Sequence, residues 1–233
     1  MGTRGKGAGG DFAGDLPAPL PAAPRGRRAE VVRTTRETDI RLVLDLDGQG
    51  RGDVETGVPF LDHMLAQVAR HGLFDLEIRA KGDTHVDDHH VVEDVAICFG
   101  QALAEALGDR RGIRRYGSCT LPMIETLVTV ALDLSGRGHF VYRVTFPGER
   151  IGTFATELVE EFFRALADRG GVELHINLHY GTNQHHMAEA IFKAFARALD
   201  DATRIDPRLA GEPPSTKGVL EGARPRPGGR YEG

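Results

Sequence analysis

A pattern of two adjacent histidines followed by a glutamate occurs twice in the chain. It runs His89-His90-Val91-Val92-Glu93 and again His185-His186-Met187-Ala188-Glu189. Residues four apart lie on one face of a helix, so the first histidine and the glutamate of each copy could bind one divalent ion. The second histidine points about 100° away around the helix and is free to bind another ion. These copies, the first motif and the second motif, predict a metal centre.

A simpler interpretation is that the histidine pairs cap the first helical turn, with the glutamates as favourable acids near the helix N-terminus. Capping does not require the same triplet twice, so metal binding is favoured. Imidazole and carboxylate ligands suit Mn²⁺, Fe²⁺, Co²⁺ or Zn²⁺, and the absence of thiolates from the pattern argues against a structural zinc site.

Basic residues near the motifs and in the C-terminal tail form a second candidate site. Each alone is typical of a solvated surface. Together with a hydroxyl and a glycine backbone they could bind phosphate, which favours arginine forks, lysine charge and small-residue donors. The candidates are Arg115, Arg137, Lys193, Ser215, Lys217 and Gly218.

Hydrophobic patterning predicts an α+β fold made of two similar halves, residues 30–115 and 116–205. The first half shows a long strand from Glu30, a hairpin partner in GRGDVETGV, a helix ending at His71-Gly72, a strand in FDLEIRAKG and a helix from His89 to about Leu107. The second half repeats this order through LVTVALDLSG, FVYRVTFPG, a helix over 156–168, VELHINLHY and the helix of the second motif. The duplicated ββαβα unit predicts helix pairs packed on sheets.

The two ends of the chain differ from its centre. Residues 1–28 are rich in Gly, Pro, Ala and Arg and predict a disordered lead. Residues 206–233 form a Pro- and Gly-rich tail around the compact Ser-Thr-Lys-Gly segment at 215–218.

Composition limits the partners and the compartment. The net charge of −5 argues against a general nucleic-acid binder. No apolar run approaches the roughly 20 residues that span a bilayer, and no signal peptide is predicted. Two cysteines, Cys98 and Cys119, are too few for a disulfide framework, which predicts a cytoplasmic protein without a membrane partner.

Four segments closely resemble the imidazoleglycerol-phosphate dehydratase family of histidine biosynthesis. They are PFLDHMLAQVARHG, DDHHVVEDVAICFGQALAEALGDRRGIRRYG, HYGTNQHHMAEAIFKAFARAL and PSTKGVL, and the similarity runs from about Glu30 to Leu220. The resemblance implies a ribosomal-protein-S5-domain-2-like fold with helices sandwiched between two sheets. It also implies a homo-oligomer of 24 subunits with active sites between subunits, and a small phosphorylated imidazole as substrate.

The resemblance further implies two Mn²⁺ ions per active site. One ion would be bound by His63, His89, Glu93 and His186, and the other by His90, His185 and Glu189. Several family members carry a further ligand histidine where this chain has Glu161. His179 and Glu161 are therefore rival candidates for that place.

Substrate contacts are implied for residues spread over both halves and the tail. His71 could equally interact with the dipole at the end of its helix. The implied residues are Glu37, His63, Gln67, His71, Arg115, Arg137, Lys193, Ser215 and Lys217.

The implied reaction converts D-erythro-imidazoleglycerol phosphate to imidazole acetol phosphate and water. Its C–H bond is not acidic, because no carbonyl lies beside it. Two metals on the ring nitrogens would favour an imidazolate that expels the hydroxyl. Glu37 is the expected acid–base residue, with Glu93 and Glu189 weaker because metal coordination lowers their basicity.

Two other functions compete with this one. A binuclear phosphohydrolase also needs two metals and a phosphate site, although its ligands are usually rich in Asp. A metal-storage or structural shell would use metals only to join subunits.

Overall fold

The computed structural model describes residues 26–220. The predicted lead and tail therefore lie partly outside the described residues, at 1–25 and 221–233. The elements are β1 (Arg28–Thr34), β2 (Thr38–Asp45), β3 (Gly52–Glu55), α1 (Pro59–Gly72), β4 (Asp75–Gly82), α2 (His89–Leu107), β5 (Tyr116–Met123), β6 (Thr126–Asp133), β7 (His139–Arg143), β8 (Arg150–Ile151), β9 (Phe154–Ala155), α3 (Glu157–Gly170), β10 (Glu173–Tyr180) and α4 (Gln184–Thr203). A 3₁₀ turn, Pro207–Leu209, follows α4.

The two halves form sheets of the same topology. The first sheet has the order β1-β2-β4-β3 and the second β5-β6-β10-β7. In each sheet three strands are antiparallel and the edge strand, β3 or β7, pairs in parallel with its neighbour. This shared order confirms the predicted α+β fold with duplicated halves. The β8–β9 hairpin is present in the second half alone among the described residues.

The helices lie between the sheets and connect the halves. Helix α2 packs on β1 and β2 and against α3, whereas α4 packs on β5 and β6 and against α1. Where α2 approaches α3, a Cβ at Gly100 would lie 2.7 Å from the carbonyl oxygen of Leu166, so this contact requires glycine. Buried phenylalanines fill the centre, and each contributes roughly 1.5–3 kcal/mol of hydrophobic stabilisation. They include Phe99, Phe162, Phe163, Phe192 and Phe195.

Two strand predictions were wrong. The long strand from Glu30 is broken because the Thr35 hydroxyl accepts the backbone N–H groups of Glu37 and Thr38, which turns the chain between β1 and β2. The segment GRGDVETGV is not a hairpin partner of β2. It contains β3, which runs into α1 and therefore pairs in parallel with β4 after the helical crossover. Each half thus has the order βββαβα.

The helix predictions were confirmed within one or two residues, including α2 with its end before Gly108. One residue of the predicted lead packs on the fold. Arg27 is buried, and its guanidinium binds the Asp47 carboxylate and the carbonyl of Thr203 at the end of α4. No helix among residues 26–220 has both the length and the apolar character of a bilayer-crossing segment.

The molecule has two ends that matter for function. The motif end carries the N-termini of α2 and α4 and the turns β1–β2 and β5–β6. The tail end carries the C-termini of these helices, the segment 206–217 and the opposite ends of the sheets. Strand β2, with 8 residues, runs from one end to the other and spans about 25 Å.

Candidate active site

The second motif lies in the first turns of α4 and meets a histidine from α1. The Nε2 atom of His185 lies 3.0 Å from Glu189 Oε2, and that of His63 lies 3.5 Å from the same oxygen. The ligand atoms of these three residues lie within 4.8 Å of one another, and no other such group of three occurs in residues 26–220. Two imidazoles and a carboxylate so arranged fit a divalent transition-metal ion.

Glu189 is largely buried, with 10% of its side chain exposed. Lys193, one turn further along α4, places Nζ 2.5 Å from Glu189 Oε1. Burial raises the pKa of Glu189, but hydrogen bonds from Lys193 and His185 more than offset it and leave the pKa below its usual value. The carboxylate is therefore anionic at neutral pH, as a metal ligand must be.

Two implied substrate residues follow His63 along α1. Gln67 Oε1 lies 3.1 Å from His71 Nε2. Burial, together with the charges of Lys193 and Arg197, lowers the pKa of His71, so this ring is neutral at pH 7. The structure thus brings Gln67, His71 and Lys193 to the same side of the group formed by His63, His185 and Glu189.

The first motif is more open. His89 Nε2 and Glu93 Oε2 lie 4.0 Å apart, and about two fifths of each side chain is exposed. His63, which the resemblance groups with His89, Glu93 and His186, lies instead beside the second motif in a single chain. The implied ligand sets are therefore not assembled within one copy.

The second histidine of each motif contacts an acid that the sequence did not identify, Asp83 for His90 and Glu125 for His186. His90 Nδ1 lies 3.0 Å from Asp83 Oδ2 and 3.8 Å from Glu37 Oε2. The hydrogen bond with Asp83, only partly offset by desolvation, raises the pKa of His90. Glu125, in the β5–β6 turn, binds His186 Nδ1 at 2.8 Å. Asp83 lies seven residues before His90 and could have been suspected, whereas no local signal connects Glu125 to His186.

Glu125 is also held by the backbone. The N–H groups of Asn183 and Thr182 donate to its Oε1 at 2.9 Å and 3.4 Å. The bond from Asn183, then that from His186, lowers the pKa of Glu125 to about 2. Glu125 therefore stays ionised at neutral pH.

The histidine pairs do not cap their helices. The Asn183 side chain accepts the backbone N–H groups of His185 and His186, and Asp87 accepts that of His89. Because other residues satisfy these donors, the imidazoles are available for ligands.

The rival candidates for the further ligand lie apart from the three-residue group. His179 is exposed, and its Nε2 lies 2.8 Å from the Thr129 hydroxyl across the outer face of the second sheet. Glu161 pairs with Arg164 on α3. Neither residue belongs to a group of three potential metal ligands within residues 26–220, so the choice between them stays a prediction.

A pocket of about 670 Å³ at the tail end collects most of the candidate phosphate residues. Its arginines are already paired: Arg115 forms a two-pronged bond to Asp133, and Arg137 binds Glu173 at 2.7 Å. Lys217 is exposed and pairs with no carboxylate within residues 26–220, so its charge is available to an anion. The lining includes Arg115, Tyr116, Ser135, Arg137, Ser215 and Lys217. Lys193 lies outside this pocket, near the motif end.

The chain matches known proteins over most of its length. The family model described as imidazoleglycerol-phosphate dehydratase matches residues 56–199. A relative of that name from Paracoccus denitrificans is 60% identical over 194 residues, which cover 83% of this chain and 100% of the relative. Another from Geobacillus kaustophilus is 57% identical over 83% of this chain and 99% of its own length.

Solved structures of proteins with the same name are similar to this chain. The crystal structure of imidazoleglycerol-phosphate dehydratase from Staphylococcus aureus has a TM-score of 0.71 and 42% identity, and covers 77% of this chain and 99% of its own. The structure of IGPD from Pyrococcus furiosus in complex with (S)-C348 has a TM-score of 0.70 and 36% identity, over 82% of this chain and 100% of its own.

Proposed function

The chain belongs to the imidazoleglycerol-phosphate dehydratase family of hydro-lyases, and from that premise we propose that it converts D-erythro-imidazoleglycerol phosphate to imidazole acetol phosphate in L-histidine biosynthesis. The observation that carries the proposal is the group of His63, His185 and Glu189 in a chain that also has a cationic pocket for a phosphate. A phosphorylated imidazole is the ligand that needs both features.

We infer that the paired motifs hold two Mn²⁺ ions per active site. The donor set fits, because each motif offers imidazoles and a carboxylate, and oxygen and nitrogen ligands suit Mn²⁺. When bound, the metals would act as Lewis acids toward the imidazole of the substrate. The residues that would hold them are His63, His89, His90, Glu93, His185, His186 and Glu189, with His179 or Glu161 as a further candidate.

The protein residues supply proton transfer and orientation. Glu37 is the proposed acid–base residue, since its side chain is 55% exposed and ends 3.8 Å from His90 Nδ1. Lys217 and the paired Arg115 and Arg137 would hold the phosphate, and Ser215 would contribute its hydroxyl. Lys193, whose ammonium is anchored on Glu189, would contact the substrate near the metals.

We further infer that each active site is shared between copies of the chain. The metal and acid–base residues lie at the motif end, and the phosphate pocket lies at the tail end, about 25 Å away along the strands. The substrate spans only on the order of 9 Å, because its bonds are about 1.5 Å long. One copy therefore cannot present both features to one substrate. This supports a homo-oligomer, for which the family resemblance implies 24 subunits.

A product assay tests the reaction. Incubation of the Mn²⁺-loaded protein with imidazoleglycerol phosphate is expected to yield an enolisable ketone without inorganic phosphate. Release of phosphate would favour the binuclear phosphohydrolase instead. If neither product forms and Lys217→Ala changes nothing measurable while His89→Ala disrupts assembly, the metal-shell function is favoured.

A complementation experiment tests the shared site. Glu37→Gln and Lys217→Ala each damage one end of the chain, and co-expressed chains form mixed assemblies. If sites are shared, some contain an intact Glu37 from one copy and an intact Lys217 from another, and up to about one quarter of wild-type activity returns. Activity no greater than the sum of the two separate variants would exclude sharing.

A further inference from the structure

The second histidine of each motif is bound through the same ring nitrogen by an acid outside the motif. His90 Nδ1 lies 3.0 Å and 3.2 Å from the two carboxylate oxygens of Asp83. His186 Nδ1 lies 2.8 Å from Glu125 Oε2. The acids come from different elements, since Asp83 follows β4 and Glu125 lies in the β5–β6 turn. The two halves therefore reach the same contact by different routes.

The chemistry of this contact fixes the position of the ring proton. An ionised carboxylate can only accept hydrogen bonds, so the nitrogen that faces it must carry the hydrogen. A neutral imidazole has one N–H, which leaves the lone pair on Nε2. Metals bind that lone pair, and an acid behind the opposite nitrogen orients the ring toward the ion.

We propose that Asp83 and Glu125 are positioning residues that hold His90 and His186 in the Nδ1–H form and aim Nε2 at the metals. The inference rests on the proposed function only in taking these two histidines as ligands. Both acids are themselves restrained: 19% of the Asp83 side chain and 31% of the Glu125 side chain are exposed, and two backbone N–H groups hold Glu125.

The first histidine of each motif behaves differently. His89 and His185 both direct Nε2 toward the glutamate of their own motif, at 4.0 Å and 3.0 Å. Each motif thus combines one histidine that shares an ion with its glutamate and one that an outside acid orients toward another ion.

A further consequence concerns Glu37, which is farther from His90 than Asp83 is. Because Asp83 holds the ring, Glu37 is left free for proton transfer.

Metal affinity provides the first test. Metal-free full-length protein is titrated with Mn²⁺, and free ion is followed by electron paramagnetic resonance. Asp83→Ala and Glu125→Ala are each expected to weaken binding about 10- to 100-fold, the usual effect of losing an outer-shell partner. The matched control is Asp75→Ala at the opposite end of β4, whose carboxylate accepts from the backbone of Gln49 and Arg51. Its affinity is expected to stay within about twofold of wild type.

Conservative variants separate the loss of ring orientation from a general loss of structure. Asp83→Asn keeps an oxygen that accepts from Nδ1–H, and is expected to recover most of the affinity. Glu125→Gln has a single oxygen, which the backbone N–H groups of Thr182 and Asn183 occupy, so its amide N–H would face His186 and its affinity is expected to resemble that of Glu125→Ala. Solid-state ¹⁵N spectra of histidine-labelled metal-free protein are expected to show one ring that leaves the Nδ1–H form in each alanine variant and in Glu125→Gln, and no such change in Asp83→Asn.

Wild-type affinity in the alanine variants would overturn the proposal, and so would weaker binding with unchanged ring tautomers. Neither readout depends on turnover. A protein that shows the expected losses but forms no ketone would contradict the proposed function and leave the role of Asp83 and Glu125 intact.

Discussion

The hairpin turns at the motif end occupy equivalent places in the two halves, but their glutamates are used differently. Glu37, in the β1–β2 turn, is more than half exposed and only approaches His90. Glu125, in the β5–β6 turn, binds His186 directly and is anchored by backbone N–H groups. In the first half Asp83 holds the histidine instead. Of two turn glutamates in equivalent places, one is therefore exposed and the other is held by hydrogen bonds.

The two motifs also differ in how closely other side chains of the same chain surround their glutamates. The second is closed within one chain, since His63 and Lys193 both contact Glu189. The first is open, with His89 and Glu93 farther apart and well exposed. An identical pattern of histidines and glutamate thus acquires different properties from the elements packed on it. Under the proposed shared site, the open motif is the one that takes ligands from another copy of the chain.

The largest expected effect is on turnover, and the loss should be equally large for the glutamates of the two motifs. Glu93→Ala and Glu189→Ala are each expected to lower kcat on the order of 10³-fold, because metal-ion catalysis contributes several kcal/mol and needs both motifs. Steady-state rates at saturating Mn²⁺ and substrate measure this. Glu105→Ala, on the exposed side of α2, serves as the control and should retain wild-type turnover. A motif variant that keeps near-normal kcat would remove that motif from the active site.

The turn glutamates should differ by about one order of magnitude or more. Glu37→Gln is expected to lower kcat by at least ~100-fold with Mn²⁺ and substrate binding nearly intact, the usual contribution of general acid–base catalysis. Glu125→Gln acts only through the orientation of His186 and is expected to lose less than about tenfold at saturating metal. Rates are compared at saturating metal, with affinities measured separately. Equal losses would mean that the two turns do the same work, and near-normal turnover in Glu37→Gln would exclude it as the acid–base residue.

Stability of the metal-free protein should distinguish the closed motif from the open one. Glu189→Ala leaves the Lys193 ammonium, only 20% exposed, without its partner and is expected to reduce the free energy of unfolding by about 1–3 kcal/mol. Glu93→Ala alters an exposed side chain and should change it by less than about 0.5 kcal/mol. Urea unfolding in a chelator measures both. Similar values would show that burial of Glu189 does not stabilise the chain.

Local sequence patterns predicted the features that depend on residues close together in the chain. The spacing in the second motif correctly predicted the contact of His185 with Glu189, and the glycine after Leu107 marked the end of α2. The break after β1 was not predicted, because alternation continues through the polar turn and the Thr35 hydroxyl bonds that cause it leave no periodic signal.

Contacts between distant segments could not be predicted from spacing. His63 meets Glu189, and Glu125 meets His186, because α1 packs on α4 and the β5–β6 hairpin reaches the start of α4. The resemblance named most of the same ligands but grouped His63 with the first motif. A single chain cannot reveal a grouping that depends on neighbouring copies.

The smallest expected effect concerns how the two motif helices begin. Asn183 caps α4 by accepting from His185 and His186, so Asn183→Ala should reduce the free energy of unfolding by about 1 kcal/mol. Asp88, the residue directly before α2, makes no cap hydrogen bond, although Asp87 accepts from the backbone of His89, and burial together with the charge of Asp87 raises the pKa of Asp88. An acid whose pKa is raised on folding opposes folding once pH exceeds its unfolded pKa.

Asp88→Ala is therefore expected to be neutral or slightly stabilising at pH 7, and its advantage should fade as the pH falls and Asp88 is protonated. Urea unfolding of both variants at pH 7 and pH 4 measures this. A loss in Asp88→Ala as large as that in Asn183→Ala would mean that Asp88 caps α2 as Asn183 caps α4. The wide separation and high exposure of His89 and Glu93 would then result only from the lack of contacting side chains, and not from the way α2 begins.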